Sequence, residues 1–233
     1  SIFTCFHDFA TRYCAAKVGP FGWDYTGNSH LGELHVLLSQ HVMIRRLKDE
    51  VLDELPKKER MEVLIPIAQS AIDEMKALRD EAERLKDKNG TLDRIANQTQ
   101  FTELYTKTCA AKIDGVCDFL RKFFAEQTKV LVFAHHQQMM QAIADFAEEE
   151  HIGFIRIDGM TSNKLRAQYV DAFQTTPSIR MALLSITAAG TGITMHAAHT
   201  VVFAELYWTP GALRQAEDRV HRIGQEKDVQ IFY

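Results

Sequence analysis

The sequence predicts an α/β fold, a parallel β-sheet covered on both faces by helices. Two observations carry that prediction. From residue 129 onward, short apolar runs alternate with amphipathic stretches, and strands alternating with helices imply crossover connections between parallel strands. The loops bearing Gly, Ser, Thr and His follow the apolar runs, and in such sheets ligands gather at the carboxyl ends of the strands.

Each element has its own signal. Strands are expected at 129–134 (KVLVFA), 154–158 (FIRID), 181–186 (MALLSI), 200–205 (TVVFAE) and 229–233 (VQIFY), all short apolar or alternating runs. Helices are expected at 137–150 and 163–173, and again from Leu213 to the break at Gly224. The first half reads differently. Residues 31–55 and 70–88 carry apolar positions at helical spacing, Asn89-Gly90 breaks the pattern, and 91–126 resumes it. A short strand is expected at Glu62–Pro66, and residues 1–30, rich in Gly and Pro, read as irregular.

Composition sets bounds. The chain has 233 residues, 46% hydrophobic and 25% charged, with a formal net charge of −4. That suits one or two globular domains. Its mild acidity gives no global nucleic-acid signal and leaves a local basic surface open. No apolar run reaches the roughly 20 residues a bilayer span needs. The chain begins Ser1-Ile2-Phe3 and stops inside an expected strand, so it reads as a piece of a longer protein. Cys5, Cys14, Cys109 and Cys117 show no CxxC spacing, so neither a zinc nor a redox motif is indicated.

The richest segment is Gln215-Ala216-Glu217-Asp218-Arg219-Val220-His221-Arg222-Ile223-Gly224-Gln225. On a continuous helix, Gln215, Arg219 and Arg222 form one stripe, and Leu213, Ala216, Val220 and Ile223 form another about 200° away. One face can pack on a core while two guanidiniums look outward. Such a pair suits a polyphosphate, because Arg stays charged and forks onto phosphate oxygens.

Other motifs are weaker alone. Ser185 to Thr194 (SITAAGTGIT) is a Gly-bearing loop after a strand, with donors fit for phosphate oxygens. It is no Walker A motif, since the chain contains no Gly-Lys pair. Asp80-Glu81-Ala82-Glu83 looks like an acidic Walker B text but falls mid-helix between arginines, where it reads as a solvated face. His135-His136 ends a strand with no further metal ligand at recognisable spacing, which favours a loop-lining or core role. Trp208 sits in a loop closed by Pro210-Gly211, either as a packing anchor or as a ligand contact.

In their order, KVLVFAHH (129–136), RIDGMTS (156–162), SITAAGTGIT (185–194), VVFAELYWTPG (201–211) and QAEDRVHRIGQ (215–225) resemble motifs IV to VI of the SWI/SNF-like branch of superfamily-two DNA translocases. Upstream, RYCAAKVGPFGWDY (12–25), LGELHVLL (31–38) and MIRRLKDEVLDELP (43–56) look most like the HepA-related, HARP-like annealing helicases. The resemblance implies a RecA-like second motor lobe at 111–233, a helical protrusion at 61–110, and a first-lobe tail with linker at 1–60. It implies that Arg219 and Arg222 reach ATP as arginine fingers, framed by Gln215 and Gln225, with Gly190 and Gly192 facing nucleotide and DNA. It further implies DNA contacts by Thr161, Ser162, Arg166, Ser185, Thr187 and Trp208. ATP and Mg2+ would be held mainly by the first lobe of the same protein, and the location would be nuclear in a eukaryote. Thr191 stands where a larger apolar residue is common, and Thr209 where Asn or Asp is usual. A chromatin remodeller using the same motor, or a non-catalytic DNA-binding or regulatory lobe, are the rival readings. An RNA helicase is disfavoured by the ending RIGQ.

Overall fold

The computed structural model describes residues 3, 5–20, 22–44, 55–84, 94–125, 129–188 and 193–233. It divides into two compact units, Ser1–Glu54 and Leu55–Tyr233.

The smaller unit is more regular than its Gly and Pro content suggests. Helix α1 (Phe6–Tyr13) is followed by a two-stranded hairpin, β1 (Lys17–Gly19) and β2 (Gly22–Asp24), and by α2 (Leu31–His41). The glycines and proline mark the turn of this hairpin, where Gly22 has φ +114°. Arg12 forks onto Glu33 at 2.7 and 2.5 Å, and the Tyr13 hydroxyl donates to the same carboxylate, joining α1 to α2. The part of the expected 31–55 helix beyond residue 44 lies outside the described residues.

In the larger unit, β3 (Lys58–Met61), α3 (Gln69–Arg84) and α4 (Arg94–Phe124) precede the alternating region. That region runs β4 (Val130–Ala134), α5 (Gln137–Glu149), β5 (Gly153–Ile157), α6 (Asn163–Thr175), β6 (Ile179–Ser185), β7 (Thr200–Phe203), α7 (Pro210–Glu217) and β8 (Val229–Phe232). The six strands β3 to β8 form one parallel sheet in the order β3-β8-β7-β4-β6-β5. The short strand expected at 62–66 instead occupies Lys58–Met61, because its register follows β8 from Lys58↔Val229 to Met61↔Phe232.

The alternation of a strand's side chains divides the core into two layers. Val130, Val132 and Ala134 face a cluster built by Cys109, Val116 and Leu120 of α4 and by Met139, Met140 and Ile143 of α5. Leu131 and Phe133 face the other cluster, with Phe173 of α6 and Ala216 of α7. Burial on both faces explains why β4 reads as an unbroken apolar run rather than an alternating one. Gly115 lets α4 approach the segment after β3, since a β-carbon there would fall 2.0 Å from Ile65 Cγ2.

The predicted Arg-bearing helix is corrected. α7 stops at Glu217, and residues 218–224 continue as turns. Ala216 and Val220 are buried as the apolar stripe required, but Ile223 is 72% exposed. The stripe fails at its last member because the chain leaves helical geometry, with Arg222 N–H bonded to the Val220 carbonyl two residues back. Gly224, at φ +98°, turns the chain toward β8.

Candidate nucleotide and nucleic-acid face

Because the sheet is parallel, the segments that follow β4, β5, β6 and β7 emerge along one edge. Ala134 pairs with Ser185, Phe133 with Phe203 and Ile157 with Leu184. The register therefore gathers His135-His136, the Asp158–Ser162 turn, Ser185–Thr187 and Glu205–Trp208 along that edge, as expected for a doubly covered α/β sheet.

The arginine loop is tightly tied. Arg219 N–H bonds to the Ala216 carbonyl at 3.1 Å, and the Arg219 carbonyl accepts Met195 N–H at 2.9 Å, joining the loop to the segment after residues 189–192. Val220 is fully buried and plugs the loop into the core. Arg222 is exposed. The Nε of Arg219 is buried and has no hydrogen-bond partner among the described residues. Burial first, and then the charge of Arg222, push the Arg219 pKa down. A half-desolvated guanidinium beside a second cation is an unfavourable arrangement that a polyanion would relieve.

The loop is held from below by Glu217, a residue the sequence reading passed over. Its carboxylate is 1% exposed. Arg60 forks onto it with Nε at 3.0 Å and Nη2 at 2.7 Å, Lys58 Nζ lies 3.0 Å from Oε2, and the Tyr233 hydroxyl donates to Oε1. His221 Nε2 reaches the Pro56 carbonyl at 2.8 Å. Burial works to raise the Glu217 pKa, but these donors outweigh it and the net direction is down. Tyr233 moves the other way, pushed up to about 12 by burial and by its bond to Glu217. Its ring ends an aromatic ladder across β4, β7 and β8, with Phe133–Phe203 centroids 5.2 Å apart and Phe203–Tyr233 4.9 Å apart. A signal was available in the sequence. Glu217 stands beside Ala216 in the apolar stripe, and a carboxylate on a buried face needs cationic partners. Lys58 and Arg60, two apart on a strand, present them on one side.

Glu205, 3% exposed, plays a similar part at the end of β7. Its Oε2 accepts the N–H groups of His135 and His136 at 2.7 and 2.8 Å, and its Oε1 lies 2.5 Å from His136 Nδ1. Burial raises its pKa and the His136 and His135 hydrogen bonds lower it, with a net shift downward. Both carboxylates thus ionise more readily in the folded chain. Their contribution is complete above the ordinary carboxylate range and is lost as pH falls through the depressed folded values. Melting temperature should therefore drop as pH is taken from about 5 toward 3, and Glu217→Gln should flatten that slope; an unchanged slope would show that Glu217 is not linked to stability.

The remaining predicted contacts divide by exposure. Thr161 Oγ1 accepts Asp158 N–H at 3.0 Å and shapes the turn after β5. Ser162 caps α6 by accepting Leu165 N–H at 3.3 Å and stays exposed, while Arg166 is half-buried one turn later. Ser185 is buried, with its hydroxyl 2.9 Å from that of Thr187, so Thr187 is the exposed member of the pair. Trp208 is 64% exposed, its ring 4.8 Å from Tyr105 of α4, whose hydroxyl donates to the Leu206 carbonyl. Gln215 is exposed. The Gln225 side chain points inward. It is 8% exposed, donates to the Ala198 carbonyl at 2.8 Å, and accepts the N–H groups of Glu226 and Lys227. Gly190 and Gly192 lie outside the described residues.

Comparison with known proteins bears on the family and the fold. Residues 111–224 match the helicase conserved C-terminal domain. A Xenopus tropicalis protein named SWI/SNF-related matrix-associated actin-dependent regulator of chromatin subfamily A-like protein 1 is 42% identical over the whole chain. The chain carries a SWI/SNF-type helicase C-terminal lobe. The human DNA annealing helicase and endonuclease ZRANB3 is 43% identical to it over 97% of the chain. The lobe-bearing chain spans about a quarter of the first relative's length, 25%, and 21% of the second's. The fold is also seen in the C-terminal part of the Fun30 ATPase domain, with TM-score 0.63 at 19% identity, covering 77% of this chain and 85% of that one. The Sulfolobus solfataricus SWI2/SNF2 ATPase core in complex with dsDNA gives TM-score 0.62 at 22% identity, covering all of this chain and 51% of the other.

Proposed function

We propose that this lobe is the carboxyl-terminal half of an ATP-dependent DNA translocase of the annealing-helicase kind. The observation that carries the reading is the Arg219–Arg222 pair, two cations side by side, one with a buried donor that has no partner among the described residues. ATP is the substrate. Its phosphate cradle and Mg2+ belong to the first lobe of the same protein, since this chain has no Gly-Lys pair. Arg219 and Arg222 serve the transferring γ-phosphoryl group, whose charge grows on its equatorial oxygens; a guanidinium fixed there is worth roughly 10³–10⁵ in rate. Supplying that charge from a second lobe makes turnover depend on lobe closure. The exposed Ser162, Thr187 and Trp208, with the α6 amino terminus, form the DNA side. Hydroxyls and helix amides address phosphates, so they grip without reading sequence. The likeness to ZRANB3, a DNA annealing helicase, supports annealing over remodelling, as does the 12–56 resemblance. A nuclear site at forks or bubbles follows for a eukaryotic source.

The test is DNA-stimulated phosphate release. The full-length protein should turn over and this lobe alone should not. Loss of turnover with intact DNA binding on neutralising both arginines supports the reading, and unchanged turnover overturns it. DNA binding by the lobe alone should be weak, indifferent to base sequence and salt-labile. On a plot of log affinity against log salt, each phosphate contact should add a slope of about −0.9. A salt-independent preference for one duplex over unrelated ones would contradict phosphate-directed binding.

A further inference from the structure

We propose that Cys109, His136 and Glu205 form a zinc-binding site that fastens α4 to the ends of β4 and β7. A thiol, an imidazole and a carboxylate come from three separate elements, and their ligand atoms lie within 4.8 Å of one another. Cys109 is 1% exposed and is the one fully buried thiol of the four, all of them free. Sequence spacing concealed the set, because its members lie far apart in the chain and meet through the sheet register.

The carboxylate is already oriented as a metal ligand requires. Glu205 spends Oε2 on two backbone N–H groups, which fixes the plane of the carboxylate and leaves Oε1 toward His136. Backbone donors that aim a ligating oxygen in this way are the usual outer support of a metal ligand. Zinc bonds of about 2.0–2.3 Å place tetrahedral ligand atoms roughly 3.3–3.8 Å apart. The site therefore closes with side-chain shifts of about 1 Å, drawing the thiol in and parting His136 Nδ1 from Oε1. On binding, the Cys109 thiol releases its proton to solvent, and His136 frees the Nδ1 lone pair by carrying its proton on Nε2. One thiolate and one carboxylate then balance the dication, so the buried cluster is neutral with metal bound. Three protein ligands leave a fourth position for water. The soft thiolate with imidazole selects zinc over calcium or magnesium.

The ligands also explain what the metal would stabilise. Tyr105 lies one helical turn before Cys109, with its ring 4.5 Å from that of His136 and 4.8 Å from that of Trp208. Zinc would fix the helix that supports the exposed Trp208.

The experiment uses the whole chain, stripped with a chelator and titrated with zinc alone, then with cobalt(II) as a spectroscopic probe. One equivalent should bind, with release of about one proton and a raised melting temperature. Cobalt should show tetrahedral absorption with a thiolate charge-transfer band. Cys109→Ala should abolish the band and weaken zinc by roughly 100-fold or more, while the metal-free variant melts near the metal-free parent. A triple variant, Cys5→Ser, Cys14→Ser and Cys117→Ser, should keep both band and stoichiometry. Should Cys109→Ala fail to fold, His136→Gln, which retains a donor to Glu205, must lose the metal instead. Absence of binding at micromolar zinc, persistence of the band in Cys109→Ala, or its loss in the triple variant would each overturn the site.

Discussion

Replacing Arg222 by alanine in the full-length protein should reduce ATP turnover by roughly 10³-fold or more while leaving DNA affinity and melting nearly unchanged. Arg222 is exposed, so its truncation opens no cavity. Val220, two residues earlier, holds the loop in the core and is untouched by the change. The loss falls on the transition state, where the phosphoryl oxygens carry most charge, so turnover should suffer more than ATP affinity. Arg222→Lys should fail almost as badly, because an ammonium cannot reproduce a two-pronged donor. Arg219→Ala should also abolish turnover, and its partly buried position predicts a small rise in stability of the nucleotide-free protein. That rise would come from removing a donor without a partner among the described residues and a neighbour that repels Arg222. Steady-state phosphate release on saturating DNA, beside thermal melting, decides among these outcomes. An early melt for Arg222→Ala would make the residue structural.

Replacing Glu217 by alanine should be the most damaging change to stability. One buried carboxylate serves Arg60, Lys58 and Tyr233. Removing one member of a buried ion pair generally costs about 3–5 kcal/mol. Lys58 and Arg60 have side chains 22% and 49% exposed and can turn toward water, which places the cost near the lower end. About 3 kcal/mol corresponds to a melting shift of roughly 6–12 °C for a chain of this size. Tyr233→Phe removes a single donor and should cost about 1 kcal/mol. If Glu217→Ala melts within a degree or two of the parent, the carboxylate network adds nothing to stability and the loop is held by Val220 and its backbone hydrogen bonds.

The sheet was legible in the sequence because β4 to β8 are short runs rich in apolar residues, separated by helices except between β6 and β7, where a loop leads on among the described residues, and burial writes itself directly into such runs. β3 was displaced by several residues, because Lys58-Glu59-Arg60-Met61 is a polar edge strand whose pairing with β8 is set by a distant register. The hairpin of the smaller unit was hidden by its two three-residue strands. At the site, the arginines were visible as residue types, but their geometry was not. A helical wheel assumed that α7 continued, and the chain departs from the helix after Glu217. The resemblance marks Gln225 as framing the arginines, and periodicity carried no sign that its amide also holds the backbone leading to β8. Glu205 and Glu217 were missed for one reason. A buried carboxylate is recognised by its partners, and those partners are 69 and 157 residues away.

The pairing of β3 with β8 also governs the order in which the lobe can assemble. Lys57 N–H bonds to Asp228 across 171 positions, and β3 can take its place only after β8, the last strand among the described residues, has been made. Closing so long a loop is entropically costly and slow. The segments between, from α4 to α7, can collapse first on local crossover contacts. Arg60 and Lys58 then arrive with β3 to meet Glu217, so the arginine-bearing turn is fixed in the closing step of folding. A nascent lobe on the ribosome would hold its core before it holds its proposed nucleotide face.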